Sequence, residues 1–244
     1  MIIVSVIIPY YKKKDYIKST IKSVLNQTFK SFEIIIVYDD EDRNDLVYLK
    51  KIQSLDKRIK IILNSKNIGA GLSRNKAIRL AKGKYIAFLD SDDLWNKKKI
   101  NTQLDFMKKN QCNISHTSYS IIDKRGNISG TRKAKNLTYN DLLTSCDIGL
   151  STVMIKKKIL DKYSFVNLKT KEDYVLWLKL AQKRHQFFGI NKKLTYWRNL
   201  DDSLSSSTIQ KLFDGYKVYR KYLNQSIIQS FISLLVLSKN YLIK

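Results

Sequence analysis

The chain has 244 residues, 43% of them hydrophobic and 27% charged, which excludes disorder as the main state and allows a sizeable core. Lys and Arg number 46 against 21 Asp and Glu, a net charge of +25 that calls for an anionic neighbour: nucleic acid, an anionic membrane face or a phosphorylated substrate. Cys112 and Cys146 are isolated, so a disulfide framework and a Cys-based zinc site are both excluded, and a reducing compartment is expected. In chain order, Ile3 to Ile8 is a β-branched run that predicts a buried strand, stopped by Pro9. Asp15 follows as an expected helix N-cap, with Ile17, Ile21, Val24 and Leu25 forming an apolar stripe. Ile34 to Val37 predicts a second buried strand, Leu46 to Leu55 a helix, and Ile59 to Leu63 a third strand. Asn67 to Gly71 is a turn leading into a helix over Leu72 to Ala81. Tyr85 to Leu89 is a fourth strand that runs straight into Asp90-Ser91-Asp92-Asp93.

Near-continuous apolar strands separated by amphipathic helices predict an α/β fold with a mostly parallel central sheet flanked by helices. Ligands of such sheets sit beyond the carboxyl ends of the strands, where Asp39-Asp40 and Asp90 to Asp93 both fall. From about residue 111 the pattern loosens. Ile114 to Ile122 and Ser151 to Ile155 read as strands, Asp123 to Asn127 as a turn, and Glu172 to Gln182 as a helix. Phe187 to Ile190 and Leu194 to Trp197 read as two short strands, and a basic helical tail begins near Ser206. The amino terminus does not read as an export signal, because its apolar run precedes Lys12-Lys13-Lys14. No stretch reaches the roughly 20 apolar residues of a membrane span. A cytoplasmic chain is therefore expected.

Asp90-Ser91-Asp92 is the sharpest chemical signal. Two carboxylates two residues apart at a strand end can face one hard divalent cation, and that cation can bridge a diphosphate. Taken alone, such a triplet is usually a solvated acidic turn. Here it arrives behind four strand patterns and the segments Ser73-Arg74-Asn75 and Gly83 to Leu89.

Val4 to Tyr11, Glu33 to Val37 with Asp39-Asp40, Asn67-Ile68-Gly69, Ser73-Arg74-Asn75, Ala81-Lys82-Gly83 and Phe88 to Asp93 together resemble the family 2 glycosyltransferases of the GT-A fold. Lys171 to Trp177 is similar to that family's Glu-Asp motif, and Tyr196-Trp197-Arg198 with Ser203-Leu204-Ser205 to the stretch that follows it. The resemblance covers about residues 1–205 and is nearest to members that make bacterial surface polysaccharides. It implies a nucleotide-sugar-binding half over residues 1–110, an acceptor half over 111–205, and a helical C-terminal extension over 206–244.

The resemblance also implies roles. Pro9, Tyr10 and Tyr11 would lie along the nucleotide base, which Asp39 or Asp40 would hydrogen-bond. The family usually has Val-Asp-Asp-Gly-Ser where this chain has Val37-Tyr38-Asp39-Asp40-Glu41, so either carboxylate fits. Asp90 and Asp92 would hold Mg²⁺ or Mn²⁺, with Ser91 and Arg74 at the donor diphosphate. Asp173 would be the catalytic base, with Glu172 as the alternative; a helix N-terminal acidic pair is the structural reading of the same two residues. The implied activity is inverting, metal-dependent transfer from a nucleotide sugar, a UDP-sugar favoured, to a glycan or polyprenyl-phosphate-linked acceptor. The enzyme would be peripheral on the inner face of the membrane. A soluble or protein acceptor, a silent scaffold and a basic nucleic-acid-binding module are the alternatives. The last has no reading motif and leaves the Asp90 cluster unexplained, so no nucleic-acid partner is expected.

Other residues read as structural. His116 and His185 are solitary, Trp95 and Trp177 suit a core, although Trp177 could stack on a sugar, and Lys97-Lys98-Lys99 and Lys156-Lys157-Lys158 suit solvated faces. The tail beyond Lys211 mixes Tyr, Phe and Leu with Lys and Arg. Such helices either cap a domain or lie in a membrane interface.

Overall fold

A computed structural model of the chain describes residues 1–200 and 207–242, leaving Ser203-Leu204-Ser205 outside the described residues. The first half alternates β1 (Val4–Tyr10), α1 (Lys14–Leu25), β2 (Phe32–Tyr38), α2 (Leu46–Gln53), β3 (Ile59–Leu63), α3 (Ala70–Leu80) and β4 (Tyr85–Phe88). The four strands pair in parallel, β1 with β2 and β4, and β2 with β3. Their side chains alternate between two cores. Val4, Val6, Ile8 and Tyr10 of β1 enter the core under α1 and α2, whereas Ile7 enters the core under α3. Both faces are thus covered, which is why these strands read as continuous apolar runs.

The second half adds β5 (Leu94–Trp95), α4 (Lys99–Lys109), β6 (Ile114–Ile122), β7 (Ile128–Arg132), α5 (Tyr139–Thr144), β8 (Met154–Lys156), α6 (Lys157–Leu160), α7 (Glu172–Gln182) and β9 (Phe188–Arg198). One sheet runs β3-β2-β1-β4-β8-β6-β9-β5, with β7 paired to β6. The pairings of β8, β7 and β5 are antiparallel, while β6 and β9 are parallel, so the complete sheet is mixed. The two short strands expected over 187–197 are one strand, β9, whose register against β6 shifts near Ser118 and bridges the polar stretch Asn191 to Lys193. The strand expected from Ser151 opens instead as a 3₁₀ turn over Leu150–Thr152.

Two local expectations are corrected, and the core reading of Trp177 is narrowed. Asp15 does not cap α1; it lies in the first turn behind Lys13, where its charge still favours the helix N-terminus. Lys99 is fully buried rather than solvated, donating from Nζ to Gln103 Oε1 at 2.6 Å and lying 4.1 Å from the Trp95 ring centroid. Trp177 is fully buried among Phe88, Phe165 and Phe187 and is unavailable to a sugar.

The C-terminal residues form α8 (Thr208–Lys217), a π-helical turn over Val218–Tyr222 and α9 (Ile227–Leu242). Val218, Tyr219 and Leu237 join the core that contains α7. Tyr219 Oη donates to the Leu143 carbonyl at 2.8 Å and lies 3.2 Å from Tyr174 Oη. The tail therefore caps the domain. No helix among the described residues is long and apolar enough to cross a membrane.

Candidate active site

The parallel half brings two acidic segments to the carboxyl ends of its strands. Asp39 and Asp40 follow β2, and Asp90 to Asp93 follow β4. Asp39 is buried and closes the loop before α3: its Oδ1 accepts from Asn64 Nδ2 at 2.8 Å and the Ile68 amide at 2.9 Å, and its Oδ2 from the Gly69 amide at 2.8 Å. Gly69 meets this grip with φ of +88°, a conformation that excludes most side chains. Asp40 is also buried, but among the described residues only its Oδ1 accepts, from the Asp42 amide at 3.3 Å. Pro9 is buried in β1. Tyr10 is fully buried too, stacked on Tyr38 with centroids 5.4 Å apart and donating to Asp45 Oδ2 at 2.7 Å. Its ring belongs to the core beneath the strand ends, which corrects the expectation that it lies along the base. Tyr11, 41% exposed, keeps an open aromatic face.

Arg74 joins the metal motif to the Glu-Asp pair. Its side chain from α3 is 3% exposed; Nη2 donates to Asp90 Oδ1 at 2.7 Å and Nη1 to Glu172 Oε1 at 2.6 Å. Gly71 makes the approach possible, because a Cβ there would stand 2.9 Å from Glu172 Cγ and from the Val166 carbonyl oxygen. Buried charges persist when paired in this way, and removing one partner strands the others. Glu172 thus has a structural commitment that its neighbour lacks. Asp173 is partly exposed, and its Oδ1 accepts from the Tyr174 amide at 2.7 Å. Desolvation and repulsion by Glu172 push its pKa up to about 7, against the pull of Arg74. A base with that proton affinity is suited to work at neutral pH.

The other carboxylates are unusual in the same direction. Burial and Asp90 push Asp92 up to about 6 despite Lys13 Nζ at 3.7 Å. Asp93 is buried, accepts from the Arg198 amide at 2.8 Å through Oδ1, and is raised by burial and its acidic neighbours. Ser91 is buried, and its carbonyl accepts from Thr20 Oγ1 at 3.0 Å. Carboxylates that resist ionisation side by side are short of positive charge, which a divalent cation would relieve. Among the described residues there is no group of three or more His, Cys, Asp or Glu able to hold a metal. A two-carboxylate site completed by phosphate and water oxygens is the ordinary Mg²⁺ arrangement, so Asp90 and Asp92 fit that role.

Two supports have a role that only the fold shows, although Arg198 lies in the Tyr196-Trp197-Arg198 stretch of the family resemblance. Arg198 Nε donates to the Asp92 carbonyl at 2.9 Å and its Nη1 to the Asp123 carbonyl at 2.9 Å, fixing the acidic loop from β9. Behind the Glu-Asp pair, Lys171 takes a left-handed φ of 62°, and Thr170 is held by the tail. The Thr170 amide and Oγ1 both donate to Asp214 Oδ2 at 3.0 Å, and Asp214 is buried in α8.

Known proteins are similar to this chain in sequence and in fold. The family model described as Glycosyl transferase family 2 matches residues 5–164. The putative teichuronic acid biosynthesis glycosyltransferase TuaG of Bacillus subtilis is 37% identical over 221 residues, covering 90% of this chain and 88% of that protein. The Escherichia coli UDP-Glc:alpha-D-GlcNAc-diphosphoundecaprenol beta-1,3-glucosyltransferase WfgD is 35% identical over 212 residues, covering 86% and 82%. Among solved structures, S. aureus TarS bound to UDP-GlcNAc superposes with a TM-score of 0.75 at 21% identity, covering 96% of this chain and 70% of that one. The mannosyltransferase PcManGT of Pyrobaculum calidifontis, with GDP-Man and Mn²⁺, gives 0.71 at 12% identity, covering 95% and 69%. The structural likenesses show a shared GT-A fold, and the sequence matches go further: this chain belongs to glycosyltransferase family 2 and is a glycosyltransferase.

Proposed function

We propose that the chain transfers a sugar from a UDP-sugar, with inversion, to a lipid-linked glycan acceptor during bacterial surface-polysaccharide synthesis. The carrying observation is Asp173, a partly exposed carboxylate tuned to about neutral pH and linked through Glu172 and Arg74 to the Asp90 motif. Asp173 takes the proton from the attacking acceptor hydroxyl, and attack opposite the leaving diphosphate inverts the anomeric carbon in one displacement. Asp90 and Asp92 would hold Mg²⁺ or Mn²⁺, which when bound neutralises charge on the departing diphosphate. Arg74 keeps Asp90 and Glu172 in place, and Ser91 sits between the two metal-holding carboxylates. Asp40 keeps an oxygen that accepts nothing from the described residues, which supports Asp40 over Asp39 as the base-reading carboxylate. Asp39 shapes the pocket by closing the loop, and Pro9 and Tyr11 border it.

Residues 1–110 serve the donor, 111–205 the acceptor, and 206–244 form the extension. The activity named for WfgD, with a UDP-sugar donor and a diphosphoundecaprenol-linked acceptor, supports the substrate classes and a peripheral location on the inner membrane face. The test is transfer of radiolabelled sugars from a panel of nucleotide sugars onto polyprenyl-diphosphate-linked acceptors with Mn²⁺. Label should move to the lipid with inverted configuration, and Asp173→Asn should abolish the transfer. Equal label with wild type and Asp173→Asn, or retention of configuration, contradicts the reading.

A further inference from the structure

The capping helices turn apolar residues outward as well as inward. On α8, Ile209 (82% exposed) and Phe213 face away from the domain, while Asp214 and Gly215 are buried against it. On α9, Ile228 (74% exposed), Phe231, Ile232 and Leu235 (69% exposed) fall at i, i+3, i+4 and i+7, while Ser230 and Leu237 are buried. That spacing makes one helical stripe, and it points away from the core. Two contacts join the helices into a single surface: the Tyr216 and Phe231 rings lie 5.0 Å apart, and Lys211 Nζ lies 5.5 Å from the Tyr241 centroid. The tail is already anchored by Val218, Tyr219 and Leu237, so the outward stripe is not what holds it to the domain. A contiguous exposed apolar patch of this kind marks a binding surface.

Charge identifies the occupant. Lys211, Arg220, Lys221 and Lys239 accompany the stripe. Asp214, the sole acidic residue among those described beyond position 206, is buried, bound to Thr170 through Oδ2 and paired through Oδ1 with Lys217 Nζ at 3.8 Å. A second copy of this chain, meeting the first through the same patch, would set cations against cations. An anionic bilayer offers hydrocarbon to the stripe and phosphate to the rim. We propose that α8 and α9 lie in the plane of an anionic lipid surface, with Ile209, Phe213, Ile228, Phe231, Ile232 and Leu235 as the inserted residues. The inference rests on the lipid-linked acceptor proposed above only for its orientation. Asp214 grips Thr170 beside the Glu172–Asp173 pair, so docking presents the base to substrate carried in the same membrane.

The test is co-sedimentation of the full chain with phosphatidylcholine vesicles, with and without phosphatidylglycerol. Binding should require the anionic lipid and fall in high salt. Ile228→Ser combined with Phe231→Ser should lower it about tenfold by removing inserted apolar area, leaving turnover on a water-soluble acceptor analogue unchanged. Failure of the wild type to bind, or full binding by the double variant, overturns the proposal. So does a solution dimer that the same substitutions dissociate, because a second copy would then cover the face. Vesicle binding without transfer to any acceptor would sink the transferase substrate assignment and leave this surface standing.

Discussion

Asp90–Asp92 stands at the end of a strand in the parallel half, whereas Glu172–Asp173 opens a helix that α8 holds from behind. The first pair is held by the sheet and by side chains far away in sequence: β4 pairs with β1, and the segment that follows is fixed by Thr20, Ser151 and Arg198. The second pair depends on distant partners, Arg74 98 residues upstream of Glu172 and Asp214 44 residues downstream of Thr170. Carboxylates of the same chemical type thus acquire different tasks. At the strand end, Asp92 is raised by burial and by Asp90, which suits a cation. In the helical pair, one member is committed to Arg74 and the other is left with a proton affinity near neutrality. Both pairs are built by tertiary contact; they differ in that a strand end carries one and a helix start the other.

The comparison predicts unequal responses to damage. Removing residues 207–244 should have the largest effect, since it strips Val218, Tyr219 and Leu237 from the core and leaves Thr170 without Asp214. Loss of cooperative melting and aggregation without lipid are expected by circular dichroism and light scattering. A truncated protein that melts like the full chain would remove the tail from the account of the base. Thr170→Val should act more mildly. Losing one hydrogen bond to a buried carboxylate costs about 1.5–3 kcal/mol, roughly 3–10 °C in Tm. The expected accompaniment is a lower kcat with unchanged donor affinity; equal loss of both would mean that the grip serves the whole fold.

Much of this contrast was legible beforehand, and the illegible part has a physical cause. Ile34 to Val37 and Tyr85 to Leu89 announce buried strands because covered strands carry apolar residues on both faces. Glu172–Gln182 was readable to its ends because the acidic pair marks its start. By contrast, α4 and α5 went unread, and Lys99 looked solvated although Gln103 and Trp95 receive it inside. Asp214 carries no motif, and only the fold brings it to Thr170. Of the tail's two readings, the inward stripe shows the cap, and the outward stripe carries the membrane proposal. Motif residues could be placed by resemblance, yet the burial of Tyr10 and the commitment of Glu172 to Arg74 exist only in three dimensions.

Smaller effects sharpen the electrostatic side. Asp173 and Asp92 are raised to about 7 and about 6, so between about pH 4 and pH 7 the folded chain holds protons that the unfolded chain has released. Their contribution to stability is present at the acidic end of that window and lost as pH rises through it. The ligand-free protein should therefore show a declining contribution to Tm across this range, and Mn²⁺ with donor should offset it at the upper end. Glu172→Gln costs stability by stranding Arg74, but its pH signature should be the smallest shift. It removes the neighbouring charge that raises Asp173, so the acidic limb of kcat should move to lower pH, by on the order of one unit. A limb that stays in place or moves upward would place the titrating base elsewhere.

The most direct test separates donor binding from turnover in two variants, by calorimetric titration of a UDP-sugar with Mn²⁺ and by initial rates. Asp92→Asn should lose metal-dependent donor binding. Asp173→Asn should bind donor as the wild type does and lose roughly 10²–10⁴-fold in kcat, the usual worth of a positioned proton acceptor. Weakened donor binding in Asp173→Asn, or near-normal turnover in that variant alongside a dead Glu172→Gln, would contradict the division of labour between the two carboxylate pairs.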